Sequence, residues 1–342
     1  MKKLLIIIFS ILSFISKSQT IELKNKKLIK YYELINDAEK KIINNELINA
    51  NHLYKEAFKE FTFPHAKDLH TSMKVALNIN DSKFAYDNYQ SLKCLGENSV
   101  DIFKDDEKYN VKSCENKIDI KLKKNLDSLF NIDQYYRKLS KGNYSAFKKE
   151  LTKSDSIASV NLLQLIQNKG FPNEYDIGLE MNSEVYFHDF YLIIWHQLAS
   201  NLYSPQIVNF SNEINKALNA GKIRPDIAGF LLDLNNSTSD YSYFKIYQFI
   251  SDNENADCCY VNKDFLYENR TEKSLSKIQD VNYKRKLLGL SSTEDEIRKS
   301  IFSLKNKEYI FSNNVIEGWN FTDPKDAEKF KSLMIKLNDT DH

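Results

Sequence analysis

The sequence predicts a mainly α-helical protein, with helical hairpins at the N-terminus followed by an α-helical domain that carries a small β-hairpin. Three observations predict it. Only 8 Gly and 5 Pro punctuate 342 residues, which favours long helices over a loop-rich all-β or dinucleotide-binding architecture. Apolar residues recur at i, i+3, i+4 and i+7 in most segments, the spacing of one helix face. The period changes once, at Tyr241–Ile250, where residues alternate roughly and are rich in aromatic and β-branched types, as in a strand.

Residues 1–18 read as a signal peptide. Lys2 and Lys3 precede an apolar stretch from Leu4 to Ile15, and Ser16 and Ser18 sit at the −3 and −1 positions of a cut before Gln19. That stretch is too short to span a bilayer comfortably, and no Cys follows it to suggest a lipoprotein. Export to the periplasm or the extracellular space is expected, with no membrane span after cleavage. Removing Lys2, Lys3 and Lys17 leaves 45 basic against 47 acidic residues, a balance of −2, which is no electrostatic footprint for nucleic acid.

Residues 24–98 read as paired helices. The spacing predicts Leu28–Ile43 and Glu46–Phe61, separated by Asn44-Asn45, then Ala66–Ile79 and Ser82–Leu95, separated by Asn80-Asp81 and stopped by Gly96. The pairs superpose at a period of 35: Leu34 on Leu69, Ala50 on Ala85, Tyr54 on Tyr89, Ala57 on Leu92. The small–aromatic–small run Ala50, Tyr54, Ala57 resembles the second helix of a tetratricopeptide repeat, although no Trp is present and Pro64 is displaced. Two such pairs are marginal alone and must lean on the more C-terminal part of the chain. The resemblance implies a groove for a protein or peptide partner, beside the plainer role of a packing scaffold.

Residues 99–116 are a charged connector. Cys94 and Cys114 are candidates for a bridge across it. Cys258 and Cys259 are adjacent and are expected to make a poor mutual pair, because the ring would be strained. No Cys-x-x-Cys spacing exists, which argues against thioredoxin-type redox work and a zinc knuckle.

The helical domain spans 117–292. One long helix is expected to about Leu139, ended by Lys141-Gly142-Asn143. Another runs from about Ala146 or Leu151 to Asn168, ended by Gly170-Phe171-Pro172. Gly178 marks a second turn. Ser183–Leu202, the most apolar stretch, is expected to be the central helix. Pro205 opens a helix to Gly221, and Arg224-Pro225 opens one to about Asn235. The strand at Tyr241–Ile250 turns at Asp252–Asn255 to pair with Cys259–Val261. Glu272–Leu287, ending at Gly289, is helical. A C-terminal helical extension, 293–342, starts with Ser292 as N-cap and Asp295 three residues on. It continues through a short extended piece at Glu308–Phe311 and ends in a helix from Pro324 to about Leu337 capped by Asp323.

Within the domain, polar residues fall on inward stripes. Asp133, Gln134 and Arg137 follow Leu126, Leu129 and Phe130. Asp155 lies between Leu151 and Ala158, His196 between Leu192 and Ala199, and Asp233 three residues after Phe230. Burying such groups is costly unless they are paired, so Asp133, Gln134, Arg137, Asp155, His196 and Asp233 are expected to meet in one network. Three roles are open to it. It fixes helix register, it binds a ligand or a metal through His196 and the carboxylates, or His196 acts as a general base beside Asp133 or Asp155. Glu184 and His188 are four apart and lack a third ligand, so they read as a solvated face. No phosphate loop, Gly-x-Ser-x-Gly elbow or His-Glu-x-x-His motif is present, and no cofactor or resident metal is implied.

Residues about 120–292 resemble an uncharacterised bacterial domain often found exported. Its pattern is matched by Asp133-Gln134-Tyr135-Tyr136-Arg137, Asp155, Gly170-Phe171-Pro172, Gly178, His196, Gly221, Asp233 and Arg285…Gly289-Leu290. Ala158, Trp195, Leu234 and Lys245-Ile246-Tyr247-Gln248 depart from it, so the later polar half is eroded. The resemblance implies no activity. The reading that results is an exported helical interaction or ligand-binding module, with a hydrolase-like enzyme using His196 as the alternative.

Overall fold

The computed structural model describes residues 21–97, 103, 114, 118–180, 186–197, 208–241, 246–250, 256–262, 272–311, 316–321 and 323–336. The signal segment, most of the 99–116 connector and residues 198–207 lie outside the described residues. The protein is mainly α with one small sheet.

Helices α1 (Lys26–Ile43), α2 (Leu47–Glu60), α3 (Ala66–Asn78) and α4 (Ser82–Cys94) form two hairpins, α1 on α2 and α3 on α4. The 35-residue period is structural as well as sequential. Asn45 and Asn80 both take the left-handed conformation, which Asn tolerates better than most residues. Ala50, Ala57, Ala85 and Leu92 are sealed completely, with Tyr54 and Tyr89 between them. The small residues let neighbouring helices approach while each tyrosine fills the space beside them.

The inner face of α1 and α3, the expected seat of a partner peptide, is occupied by the chain itself. Helix α1 buries Leu28, Tyr31, Tyr32, Ile35, Ala38, Glu39 and Ile42, and α3 is buried on nearly every side. What covers them comes largely from the C-terminal third: Leu288, Tyr309 and Phe311 belong to the same core. The Asn36 amide donates to the Gly289 carbonyl at 3.0 Å, and the Asn78 amide donates to the Tyr309 hydroxyl at 2.7 Å.

Helix α5 (Ile120–Ser140) and helix α6 (Lys148–Lys169) form a third hairpin, joined through a 3₁₀ turn at Tyr144–Phe147. Then come α7 (Glu174–Ile177), α8 (Tyr191–Trp195), α9 (Ser211–Asn219) and α10 (Pro225–Asn236). The expected central helix at Ser183–Leu202 is corrected: among the described residues only Tyr191–Trp195 is α-helical. Tyr186 has a φ of 53°, outside the right-handed helix region, and the stretch from there to Phe190 reaches the core as irregular chain. A continuous apolar run signals burial, not periodicity. The helix expected from Pro205 begins only at Ser211. At its far end Gly221 has a φ of +69°, and a Cβ there would lie 2.5 Å from the Phe61 ring. Only glycine lets that turn approach the repeat hairpins.

The hairpin is the centre of a larger sheet. Strand β1 (Ile246–Ile250) pairs antiparallel with β2 (Ala256–Asn262), with Tyr247 opposite Tyr260. After α11 (Glu272–Leu288) and α12 (Thr293–Lys305), β3 (Ile316–Asn320) adds parallel to β1. Past α13 (Pro324–Lys331), β4 (Met334–Lys336) adds antiparallel to β2, giving the order β3-β1-β2-β4. The expected C-terminal helical extension thus also carries two strands, while Glu308–Phe311 is not a strand. Ser292 and Asp323 cap α12 and α13 as expected. One sheet face packs Ile246, Cys259 and Val261 against α12. The other packs Phe249, Tyr260 and Met334 with Phe330.

Cys94 and Cys114 are bridged. Cys258 and Cys259, expected to make a poor mutual pair, are bonded to each other across a cis peptide. No described helix is long and apolar enough to cross a membrane.

Candidate functional site

Helices α5, α6 and α8 carry the predicted residues to one point. Asp133 and Arg137 lie one turn apart on the inward face of α5, Asp155 faces them from α6, and His196 caps the C-terminus of α8. The Arg137 guanidinium grips Asp155 with both ends of its fork, Nη1 to Oδ1 at 2.7 Å and Nη2 to Oδ2 at 2.8 Å. The same Nη1 donates to the Asp133 backbone carbonyl at 2.6 Å. The Asp133 carboxylate accepts from Gln134 Nε2 at 2.8 Å and lies 2.8 and 2.9 Å from His196 Nδ1.

Asp133 and Asp155 are fully buried, whereas the His196 side chain keeps 20% of its surface exposed and Arg137 keeps 13%. Burial pushes the Asp155 carboxyl up, and the Arg137 bonds offset this only in part. Burial works against the Arg137 charge too, but the bonds to Asp155 and the field of Asp133 outweigh it and hold the guanidinium above its ordinary value.

Two chemistries are open to this geometry. Asp133 accepting from Nδ1–H fixes the imidazole tautomer with its lone pair on Nε2, the arrangement of an oriented base. Donor atoms of Asp133, Asp155 and His196 also lie within 4.8 Å of one another, close enough to share a metal ion. Against the metal, Arg137 already takes both oxygens of Asp155, and a guanidinium beside a divalent ion adds repulsion. The arrangement favours the oriented imidazole.

Asp233 does not join this group through its described bonds. Its carboxylate accepts from Thr238 Oγ1 at 2.8 Å and from the backbone N–H groups of Asp240 and Tyr241 at 2.7 and 3.0 Å. It organises the loop that leaves α10. The polar signal was right, but its partners are local, the common behaviour of Asp at a turn. Glu184 lies outside the described residues. His188 is buried before α8 begins, 3.9 Å from Glu180, and is no solvated face.

A second buried network escapes the sequence reading. Glu39 on α1 bridges Lys67 on α3 and Lys299 on α12, and Lys67 also meets Asp68 at 2.9 Å. Burial pushes the Glu39 carboxyl up, but the two lysines outweigh it and hold it below the usual range. Nearby, Arg285 donates to Glu296 at 3.0 Å, and Arg224 pairs with Asp226 at 2.9 Å. Tyr32 Oη lies 2.9 Å from His65 Nε2, and His65 Nδ1 lies 3.2 Å from Glu174, which also accepts the Ala66 N–H at the start of α3. A cavity of about 40 Å³ sits among Tyr32, Glu39, His65, Lys67, Arg224 and Lys299, room for a few water molecules. The signal was present in sequence: Glu39 occupies the stripe of Leu28, Tyr32, Ile35 and Ile42, the anomaly that identified Asp133.

No protein family, curated protein or solved structure matches this chain.

Proposed function

We propose that this is an exported helical ligand-binding protein whose binding site is the Asp133–Arg137–Asp155–His196 cluster. The observation that carries the proposal is the graded exposure of one network. The two carboxylates are sealed at 0%, while the imidazole that contacts one of them reaches solvent. A network serving register alone has no need of an open member. The accessible chemistry is an imidazole and a guanidinium edge, which suits a small ligand bearing a carboxylate, phosphate or hydroxyl. The repeat hairpins serve this reading as scaffold, because their inner face is filled by residues 288–311.

A hydrolase-like enzyme is the second reading, favoured by the 2.8 Å contact of His196 Nδ1 with Asp133. In it His196 takes a proton from water or a substrate hydroxyl through Nε2, and Asp133 stabilises the resulting imidazolium.

One experiment tests both. Parent and His196→Ala protein are screened by thermal unfolding against small carboxylates, phosphates and divalent metals, and by hydrolysis of chromogenic esters. Binding predicts that some ligand raises the parent midpoint and not the variant's. The enzyme predicts turnover that His196→Ala abolishes. If the variant unliganded midpoint falls by about six degrees or more (roughly 4 kcal/mol for a chain this long), the cluster is architecture and both readings fail.

A further inference from the structure

We infer that the tip of the α5–α6 hairpin is a docking toe for an anionic lipid surface. The tip is an exposed run in which apolar and basic side chains alternate. Tyr135 and Leu139, four residues apart on α5, are 55% and 50% exposed, and Tyr144 in the 3₁₀ turn is 43% exposed. Ile132 extends the same helix face one turn back. Around them Lys138, Lys141, Lys148 and Lys149 are exposed.

The charge is one-sided. From Asn131 to Lys149 the sole acidic residue is Asp133, which is fully buried and bound to His196 and Gln134. Residues 120–157 hold nine Lys and Arg against four Asp and Glu, a local balance of +5 in a chain whose total is +1. The rest of the chain is therefore acidic, and the basic charge on this hairpin is a local bias.

The shape decides between occupants. All residues from Lys141 to Ala146 are exposed, and a Cβ on Gly142 would meet nothing within 4 Å. The tip is convex. A concave groove suits a peptide or helix, whereas a protruding knob with aromatic and leucine side chains ringed by lysines suits the boundary between lipid headgroups and acyl chains. There the apolar tips enter a few ångströms, and the lysines meet anionic headgroups within the screening distance. Tyrosine prefers that interface. Arg137 and Asp155 clamp the two helices of the hairpin together behind the tip, and Asp133 ties α5 to His196 at the end of α8, so contact is made by a rigid element.

The test uses the mature chain and flotation with vesicles of phosphatidylcholine alone or mixed with phosphatidylglycerol. The expected result is binding to the anionic vesicles, weakened by added salt, with little binding to phosphatidylcholine. Reversing Lys141, Lys148 and Lys149 to Glu should lower the affinity at least tenfold. Tyr135→Ser with Leu139→Ser should lower it several-fold at unchanged salt dependence. All these positions are exposed, and circular dichroism confirms the fold of each variant. No binding to anionic vesicles by the parent, or binding that neither variant changes, overturns the inference. Equal binding to soluble polyglutamate that ignores the Tyr135 and Leu139 changes also overturns it, in favour of an acidic macromolecule.

Discussion

The Thr71 hydroxyl on α3 holds both backbone polar groups of Ile310, donating to its carbonyl at 2.7 Å and accepting its N–H at 3.1 Å. A single side chain thus takes the place of a strand partner for a segment that pairs with no strand. Thr71 is fully buried, so its loss would orphan two polar groups. Thr71→Val is expected to cost about 1–3 kcal/mol, measured by urea unfolding. Amide exchange should rise first at residues 308–311. An unchanged exchange pattern would show that the segment is anchored elsewhere.

The cluster on α5, α6 and α8 separates architecture from binding by residue. Arg137→Met strands two buried carboxylates and is expected to cost about 3–5 kcal/mol. His196→Ala removes a partly open partner and leaves the buried Asp133 carboxylate with Gln134, and is expected to cost less, about 1–3 kcal/mol. Arg137→Met combined with Asp155→Leu should recover much of the loss, because the lone charge goes with its partner. Denaturant midpoints of the three proteins decide it, and equal losses for Arg137→Met and His196→Ala would contradict the assignment.

Glu39 holds two buried lysines, so Glu39→Gln leaves Lys299 without a carboxylate and Lys67 with Asp68 alone. The expected loss is about 3–5 kcal/mol. Lys299→Met leaves Glu39 paired with Lys67 and should cost less. Calorimetry that reversed this order would show that the bridge centres on Lys299.

Acid sensitivity should be traceable to Glu174. Burial works to raise its carboxyl, but the bonds to His65 and neighbouring positive charge outweigh it and bring it down to about 2, from 4.5 in an ordinary setting. A depressed carboxylate contributes stability that is complete above the unfolded value and is lost as pH falls from about 4.5 to about 2. For this nearly sealed group that is of order 3 kcal/mol. His70 acts in a higher window. Burial, then Lys74, lower it to about 4, so its contribution is complete above about 6.5 and fades toward 4. Asp155 is raised and works in the opposite sense, favouring the fold as it gains a proton. Stability of Glu174→Gln followed against pH should lack the parent slope between about 4.5 and 2. A parallel profile would refute the attribution.

The bridge between Cys94 and Cys114 closes 20 residues. Replacing both by Ala should lower stability by about 3 kcal/mol through the freedom returned to the unfolded chain. Equal midpoints for this variant and the parent would mean the loop gains nothing from closure.

The repeat hairpins were legible because their determinants are local. Asn at each turn, Ala at each close approach and Tyr at fixed spacing specify the pair whatever surrounds it. Asp133, Arg137, Asp155 and His196 were legible for a related reason, since each interrupts an apolar stripe that its own helix defines. Asp233 shows the limit of that rule: an interruption reports that a partner exists, not where it lies. The sheet order was hidden because β3 and β4 are set by pairing with strands about 70 residues earlier, and no local pattern encodes that. The short α8 was hidden because Phe190–Trp195 would be apolar in any conformation that reaches the core.

The ion triad of Glu39, Lys67 and Lys299 also bears on how the chain assembles. Synthesis delivers Glu39 and Lys67 together, while Lys299 comes 260 positions after Glu39. Until it arrives, the first two hairpins can pair but their inner face stays wet and half-neutralised. The oldest part of the molecule is therefore completed by one of the youngest, and closure is a late, long-range event with a slow search. A chain stopped short of α12 lacks Lys299, and Glu39 then has Lys67 as its one lysine partner among the described contacts.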